Sequence, residues 1–255
     1  MMISNKTNIR IGLCGASGRM GQTVIQRIDA LGSNYSIVSK FNRSNPLSDL
    51  REFCKNSDVI IDFSSPDILE ALVEKAIEYN TKLVIGTTNL QETHINSLNN
   101  ASNYIPIIYS ANMSIGANLM LMISTKMAKI LGNNYDIEIL DKHHRHKKDS
   151  PSGTSITLGK ALANARNIVF EESVIFDRHN KGQRLPNEIG ISSIRGGGIY
   201  GEHDVFFISD DEIISINHQS LNRHAFADGA IAAARWIVDK KPGLYSIPDA
   251  LNHET

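Results

Sequence analysis

A single stretch near the start of the chain narrows the possible folds most. A short β-branched run, Ile9–Cys14, leads directly into Gly15-Ala16-Ser17-Gly18-Arg19-Met20-Gly21. A helical pattern over Gly18–Ala30 follows, with Met20, Val24, Ile25 and Ile28 on one face. Strand, G-x-x-G-x-x-G, helix is a variant of the dinucleotide fingerprint. Each glycine has a physical task. The first permits the tight turn, the second lets backbone approach a pyrophosphate, and the third lets helix pack on strand. The helix start then offers free amides and a partial positive charge to an anion. A purely structural glycine turn is the alternative.

The residues that follow continue the alternation. Strands are predicted at Tyr35–Phe41, Asp58–Phe63, Lys82–Gly86 and Ile105–Tyr109, and helices at Leu47–Cys54, Pro66–Tyr79 and Gln91–Ala101. Pro66 suits a first helical turn, where its missing N–H costs nothing. This order predicts a parallel sheet with right-handed crossovers. After Asn112 the pattern changes. A long helix is predicted at Ser114–Leu131, a strand at Tyr135–Leu140, a charged loop at Asp141–Ser150 and a helix at Ser152–Ala165. Ile189–Arg195, His203–Ile208 and Ile213–His218 then read as strands without helices between them, which predicts a mostly antiparallel sheet. An alanine-rich helix, Ala225–Val238, is expected to return to the first domain.

Composition limits the function. The chain has 255 residues, enough for one large or two modest domains, with 26 basic against 27 acidic residues and a net charge of −1. Such a balance argues against a general nucleic-acid or anionic-membrane binder. No apolar run is long enough to span a bilayer. The first residues, Met1 to Asn8, are too few and too polar for a signal or transit peptide. Cys14 and Cys54 read as two buried thiols in a reducing compartment, so a cytoplasmic protein is expected.

Three strand exits carry ligand-facing candidates. The second predicted strand ends in Phe41-Asn42-Arg43, with no acid to grip a ribose 2′-hydroxyl and with an arginine suited to a 2′-phosphate. Gly86-Thr87-Thr88 and Ser110-Ala111-Asn112-Met113 follow the fourth and fifth strands, where small and hydroxyl residues let a nicotinamide ring approach. On spacing alone these are equally ordinary strand-exit loops.

The sharpest local signal is Asp141-Lys142-His143-His144-Arg145-His146-Lys147-Lys148-Asp149-Ser150-Pro151-Ser152-Gly153-Thr154. Three of the nine histidines and four of the 26 basic residues fall within seven positions. A metal site is one reading, but Arg145, Lys147 and Lys148 would repel a divalent cation, and no metal is expected. A solvated charge run is another. An anion site with acid–base chemistry is the third, because imidazole titrates near neutrality and the lysines attract carboxylates. Ser152-Gly153-Thr154 opens a helix and reads either as a plain cap or as an anion cradle. His203, in Gly201-Glu202-His203, receives no role from spacing.

These residues resemble the 4-hydroxy-tetrahydrodipicolinate reductase family, also called dihydrodipicolinate reductase. The resemblance rests on the Gly15–Gly21 loop, Ile61-Asp62-Phe63, Val84–Thr88, Ser110–Gly116, His143–Lys147, Pro151–Thr154 and Gly201-Glu202-His203. It implies an α/β chain with a Rossmann-type parallel-sheet domain, 1–113, rejoined by 222–255. It also implies an α+β substrate-binding and tetramerisation domain, 114–221. The implied activity is reduction of a cyclic imine dicarboxylate by NADPH or NADH in lysine and diaminopimelate biosynthesis. By position, His143 resembles the proton donor and Lys147 a second one, while His144, Gly153 and Thr154 resemble substrate contacts. Gly15 to Met20, Arg43, Gly86 to Thr88 and Ser110 to Met113 resemble cofactor contacts. Asn42 stands where many members carry an acid, so dual use with NADPH favoured is expected.

Overall fold

The run preceding the glycine turn forms β1 (Ile9–Cys14), in which Ile9, Ile11, Leu13 and Cys14 are excluded from solvent. A strand buried on both faces needs a layer on each side of its sheet. The computed structural model describes residues 8–251. After β1 come α1 (Arg19–Leu31), β2 (Tyr35–Phe41), α2 (Leu50–Lys55), β3 (Val59–Asp62), α3 (Leu69–Glu78), β4 (Lys82–Ile85), α4 (Glu92–Ala101) and β5 (Pro106–Tyr109). Then follow α5 (Ile115–Leu131), β6 (Asp136–His143), α6 (Gly153–Ala165), α7 (Phe170–Ser173), β7 (Val174–Phe176) and β8 (Ile189–Arg195). The last elements are β9 (Glu202–Ile208), β10 (Ile213–Gln219), α8 (His224–Ile237), β11 (Gly243–Tyr245) and α9 (Ile247–Leu251). The chain divides into two units: one runs to Ile115 and resumes at Arg223, and the other is Gly116–Asn222.

In the first unit six strands lie in the order β11-β5-β4-β3-β1-β2, all parallel. Alternate side chains leave opposite faces. Val59 and Ile61 therefore pack with α1 and α8, while Ile60 packs with α2, α3 and α4. Pro66 opens a short turn ahead of α3, and the Ser65 hydroxyl accepts the Asp67 N–H at 3.2 Å. The neighbours of β1 are β2 on one side and β3 on the other, so the crossovers diverge there. Divergence opens a crevice at the carboxyl ends of the strands. Three-residue β11 pairs with β5 as the sixth strand, an element too short to show in the sequence pattern.

The second unit holds a mixed sheet in the order β10-β9-β6-β8-β7. The pairs β10–β9 and β9–β6 are antiparallel, as the helix-free run of strands implied. β8 joins β6 in parallel, and β7 joins β8 in the same sense. The reason is α6, which lies between β6 and β8 in sequence and supplies the crossover that a parallel pair needs. Ile137, Ile139, Ile189, Ile191, Val205 and Phe207 pack against Met120 and Ala128 of α5 and Leu158 and Leu162 of α6. β6 runs three residues beyond the apolar pattern, so Asp141, Lys142 and His143 are strand rather than loop. Asp141 and Lys142 are paired on both sides, with Ser193 and Ile194 of β8 and with the start of β9, and His143 is paired with Arg195 of β8.

Candidate active site

The first unit arranges its strand exits around the glycine turn. Gly15 adopts φ +77°, and a Cβ there would collide with the backbone carbonyl of Phe63. A Cβ on Gly21 would collide with the carbonyl of Gly15, so helix and turn approach as closely as backbone allows. The Gly15 N–H donates to the Phe41 carbonyl at 2.8 Å, and the Ser17 N–H donates to Asn42 Oδ1 at 2.7 Å. Asn42 thus ties the β2 exit to the turn. Gly18 caps α1 without a side-chain acceptor, so it blocks none of the first-turn amides.

Two cavities flank this turn. One, of about 230 Å³, is lined by Gly15, Asn42, Arg43, Asn45, Ser65 and Asp67, among others. The second, of about 270 Å³, brings together Met20, Gly86, Thr87, Thr88, Ala111 and Met113 from three separate segments, with Phe63 and Phe226 beside them. Phe226 carried no signal in the sequence beyond being aromatic, and Phe63 entered only through the Ile61-Asp62-Phe63 segment of the resemblance. Ser110 and Asn112 are tied into their own turn: the Ser110 hydroxyl donates to the Asn112 carbonyl at 2.7 Å, and Asn112 Oδ1 accepts from the Ser114 N–H at 2.9 Å. Behind the crevice, Asp62 is wholly buried. Burial pushes its carboxyl upward, against hydrogen bonds from the Ser64 N–H at 3.1 Å, the Ser64 hydroxyl at 2.5 Å and the Thr87 hydroxyl at 2.6 Å. The Thr87 hydroxyl is therefore aimed at Asp62. Cys14 and Cys54 are buried free thiols, and burial pushes Cys54 up to about 12. Neither can serve as a thiolate nucleophile.

The second unit carries the basic segment. Ile137, Ile139, Asp141 and His143 alternate along the buried face of β6, so the last two are the polar end of an apolar stripe. Asp141 is fully buried and sits at the centre of a charged cluster. Its Oδ1 lies 2.5 Å from His143 Nδ1. Its Oδ2 accepts from the Ser152 N–H at 2.7 Å, from Arg195 Nη2 at 3.0 Å and from the Ser193 hydroxyl at 3.2 Å. Burial alone would raise this carboxyl, but His143, the Ser152 amide and Arg195 outweigh it and hold it well below the usual carboxylate range. His203 stands edge-on to His143, with ring centroids 5.2 Å apart, and its Nε2 lies 3.1 Å from the Ser152 hydroxyl. Burial, with the charge of His143 next in size, pushes His203 down to about 4.

Beyond His143 the chain turns back. The Lys147 N–H donates to the His144 carbonyl at 3.1 Å, and the Lys147 ammonium pairs with the exposed Asp149 carboxylate at 2.8 Å. Arg195 also reaches the Asp149 carbonyl at 2.7 Å, so one guanidinium holds both the buried carboxylate and the returning loop. Ser152 caps α6, its hydroxyl accepting from the Ser155 N–H at 3.3 Å. Gly153 and Thr154 form the first turn of that helix, next to the Asp141 cluster. Asp141, His143 and His203 could each offer a metal-ligand atom within 4.8 Å of the others. Arg195 places a fixed positive charge on the same carboxylate, which favours acid–base use of the cluster over cation binding.

The cofactor-type candidates thus lie in the first unit, and His143, His144, Lys147, Gly153 and Thr154 lie in the second. Sequence reasoning missed Asp141, Arg195, His203 and Ser152 as members of the cluster. Asp141 had a usable signal, the period-two spacing with His143 on one strand. Arg195 and His203 reach the cluster from two other strands, and only the sheet register makes them neighbours.

Comparison with known proteins agrees across both units. Residues 9–113 match the family model for dihydrodipicolinate reductase, N-terminus, and residues 116–251 match that for dihydrodipicolinate reductase, C-terminus. The chain belongs to the dihydrodipicolinate reductase family. A 4-hydroxy-tetrahydrodipicolinate reductase of Rickettsia bellii is 52% identical over 241 residues, covering 94% of this chain and 94% of the relative. One of Helicobacter hepaticus is 42% identical, covering 95% and 99%. The solved dipicolinate-bound dihydrodipicolinate reductase of Paenisporosarcina sp. TG-14 superposes with a TM-score of 0.72 at 21% identity, covering 93% of this chain and 97% of that one. A diaminopimelate dehydrogenase of C. glutamicum shares the fold at a TM-score of 0.55 and 15% identity. Family membership makes this chain an oxidoreductase of the nicotinamide-dinucleotide type.

Proposed function

We infer that the chain reduces 4-hydroxy-tetrahydrodipicolinate to tetrahydrodipicolinate with loss of water, using NAD(P)H, in lysine and diaminopimelate biosynthesis. The observation that carries this beyond family membership is the Asp141–His143 contact, inside a cluster that also holds Arg195 and the start of α6, with the Lys147–Asp149 pair on the loop that Arg195 holds. A dicarboxylate substrate needs two anion grips and a proton donor, and this cluster offers both.

The glycine turn fits a dinucleotide, because side chains at Gly15 and Gly21 would fill the cradle that a pyrophosphate needs. Gly15 to Met20 hold the phosphates, Arg43 the adenosine end, and Gly86 to Thr88 with Ser110 to Met113 the nicotinamide end. When bound, the reduced nicotinamide supplies a hydride to the substrate ring. Lys147 and the first turn of α6, with Gly153 and Thr154, hold the substrate carboxylates, and His144 completes the pocket. The 4-hydroxyl leaves as water, hydride adds to the unsaturated ring, and a proton from His143 completes the reduction of the resulting enamine. Lys147 assists as charge or as a second proton donor. Positioning of the reactants adds to the rate.

Arg43 is exposed at the adenosine cavity, so its attraction for a 2′-phosphate is screened and the preference for NADPH is modest. Asp67 lines the same cavity and offers the carboxylate that the β2 exit lacks, which suits dual use. The second unit is also read as the surface that builds a homotetramer. The deciding experiment supplies enzymatically generated 4-hydroxy-tetrahydrodipicolinate and follows loss of the reduced nicotinamide's absorbance. Turnover with this substrate, and none with diaminopimelate under oxidising conditions, is expected; the reverse pattern would assign the fold to an amino-acid dehydrogenase.

A further inference from the structure

We propose that Asp141 is the positioning residue of the proton donor, clamping His143 at Nδ1 while Gly201 leaves Nε2 uncovered as the nitrogen that exchanges the proton. This rests on the reading of His143 as the donor.

The clamp begins with the carboxylate. Its Oδ2 receives three donors, the Ser152 N–H at 2.7 Å, Arg195 Nη2 at 3.0 Å and the Ser193 hydroxyl at 3.2 Å. They come from the start of α6 and from β8, so the group cannot rotate without losing bonds to two elements. That leaves Oδ1 facing His143 Nδ1 at 2.5 Å. An acceptor opposite Nδ1 selects the tautomer with hydrogen on Nδ1 and leaves Nε2 to accept or donate. Arg195 already balances the carboxylate charge, so Asp141 acts mainly by fixing the ring's tautomer and direction.

The other face of the ring is shaped by what is missing. A Cβ on Gly201 would lie 3.1 Å from His143 Nε2 and 3.5 Å from its Cδ2. Any other residue at 201 would press a methyl group against the working nitrogen. His203 closes a further side; its Nε2 is directed to the Ser152 hydroxyl at 3.1 Å and stands 3.8 Å from Asp141 Oδ1. Among the described residues, the charged and titratable groups around His143 include Asp141 on its own strand, Arg195 on β8 and His203 on β9, with His218 of β10 and Lys147 acting on His203.

Asp141→Asn tests the clamp, because it keeps the side chain's shape and an acceptor for Ser152 and Arg195 but can present an amide N–H to Nδ1. That reverses the tautomer. Turnover should fall by about 10²–10⁴-fold, as when a histidine's carboxylate orienter is lost, with nucleotide affinity unchanged. Asp141→Glu should recover part of the loss. Nitrogen-15 NMR should place the neutral-ring proton on Nδ1 in the wild type and on Nε2 in Asp141→Asn. In a His143→Gln background, Asp141→Asn should cost little more, since a residue acting through His143 has nothing left to position. Gly201→Ala should lower kcat by about tenfold or more at unchanged nucleotide affinity. Wild-type kcat in Asp141→Asn, an unchanged tautomer, or the same loss with and without His143 would overturn the proposal while leaving His143 as the donor. Full turnover in His143→Gln alone would instead remove the reading on which it rests.

Discussion

His203 makes stability depend on pH in a way that can be calculated from its surroundings. It is 4% exposed, and burial first, then the charges of His143, His218 and Lys147, hold its imidazole down at about 4 against the opposing pull of Asp141. In the unfolded chain an imidazole titrates near ~6.5. Between those values the unfolded state binds a proton that the folded state refuses, so stability falls as the solution is acidified. The loss is negligible at about pH 7.5, about 2 kcal/mol at pH 5 and about 3 kcal/mol once pH is below 4. Asp141 acts in a different window. Its depressed carboxyl contributes stability above the unfolded value near ~3.8 and loses it only below that. Urea unfolding followed by far-ultraviolet circular dichroism, at about pH 7.5 and about pH 5 and fixed protein concentration, isolates the term. His203→Gln should be less stable than the wild type at the higher pH, having lost a packed ring, yet lose about 2 kcal/mol less on acidification. His218, which burial also lowers, is present in both proteins and cancels in the comparison. Equal acid losses in the two proteins would refute the argument that His203 is buried neutral.

Lys147→Ala should lower turnover by roughly 10²–10⁴-fold while calorimetric nucleotide binding survives, because its ammonium stands in the basic turn after His143. Thr154→Val removes a hydroxyl at nearly constant volume; if it holds a carboxylate, substrate KM should rise about tenfold, matching ~1.5–3 kcal/mol for a hydrogen bond to a charged group. An altered nucleotide Kd with unchanged substrate kinetics would contradict that assignment. Arg43→Ala should weaken NADPH more than NADH, and titration at two salt concentrations should show the wild-type preference shrinking as salt rises. Equal losses for both nucleotides would mean that Arg43 does not read the 2′-phosphate.

The parts of this protein legible in its sequence are those governed by local rules. The glycine turn, the alternation of strands and helices before Asn112 and the cap at Ser152 each follow from neighbours within a few residues. The nearly all-apolar run at β3 suits a strand covered on both faces, and the density of charge around His143 marked the second site. Elements that depend on partners left little trace. β11 and β7 are three residues each, and they are strands only because β5 and β8 offer an edge. The end of β6 looked like loop because Asp141, Lys142 and His143 are polar; pairing with β8, and for Asp141 and Lys142 with β9 as well, keeps them extended.

The sequence by itself determined which residue types could do chemistry here and which segments would carry them, because turn geometry, capping and periodicity are short-range. Only the tertiary structure decided which atoms meet. Arg195 and His203 lie 54 and 62 positions after Asp141 in the chain, yet β6 takes one strand on each side and the register brings both to the same buried carboxylate. A carboxylate removed from water must be compensated by whatever donors surround it. Those donors come from β6, β8 and the start of α6, with His203 of β9 closing the cluster, so the state of the site is a property of the fold rather than of any one segment.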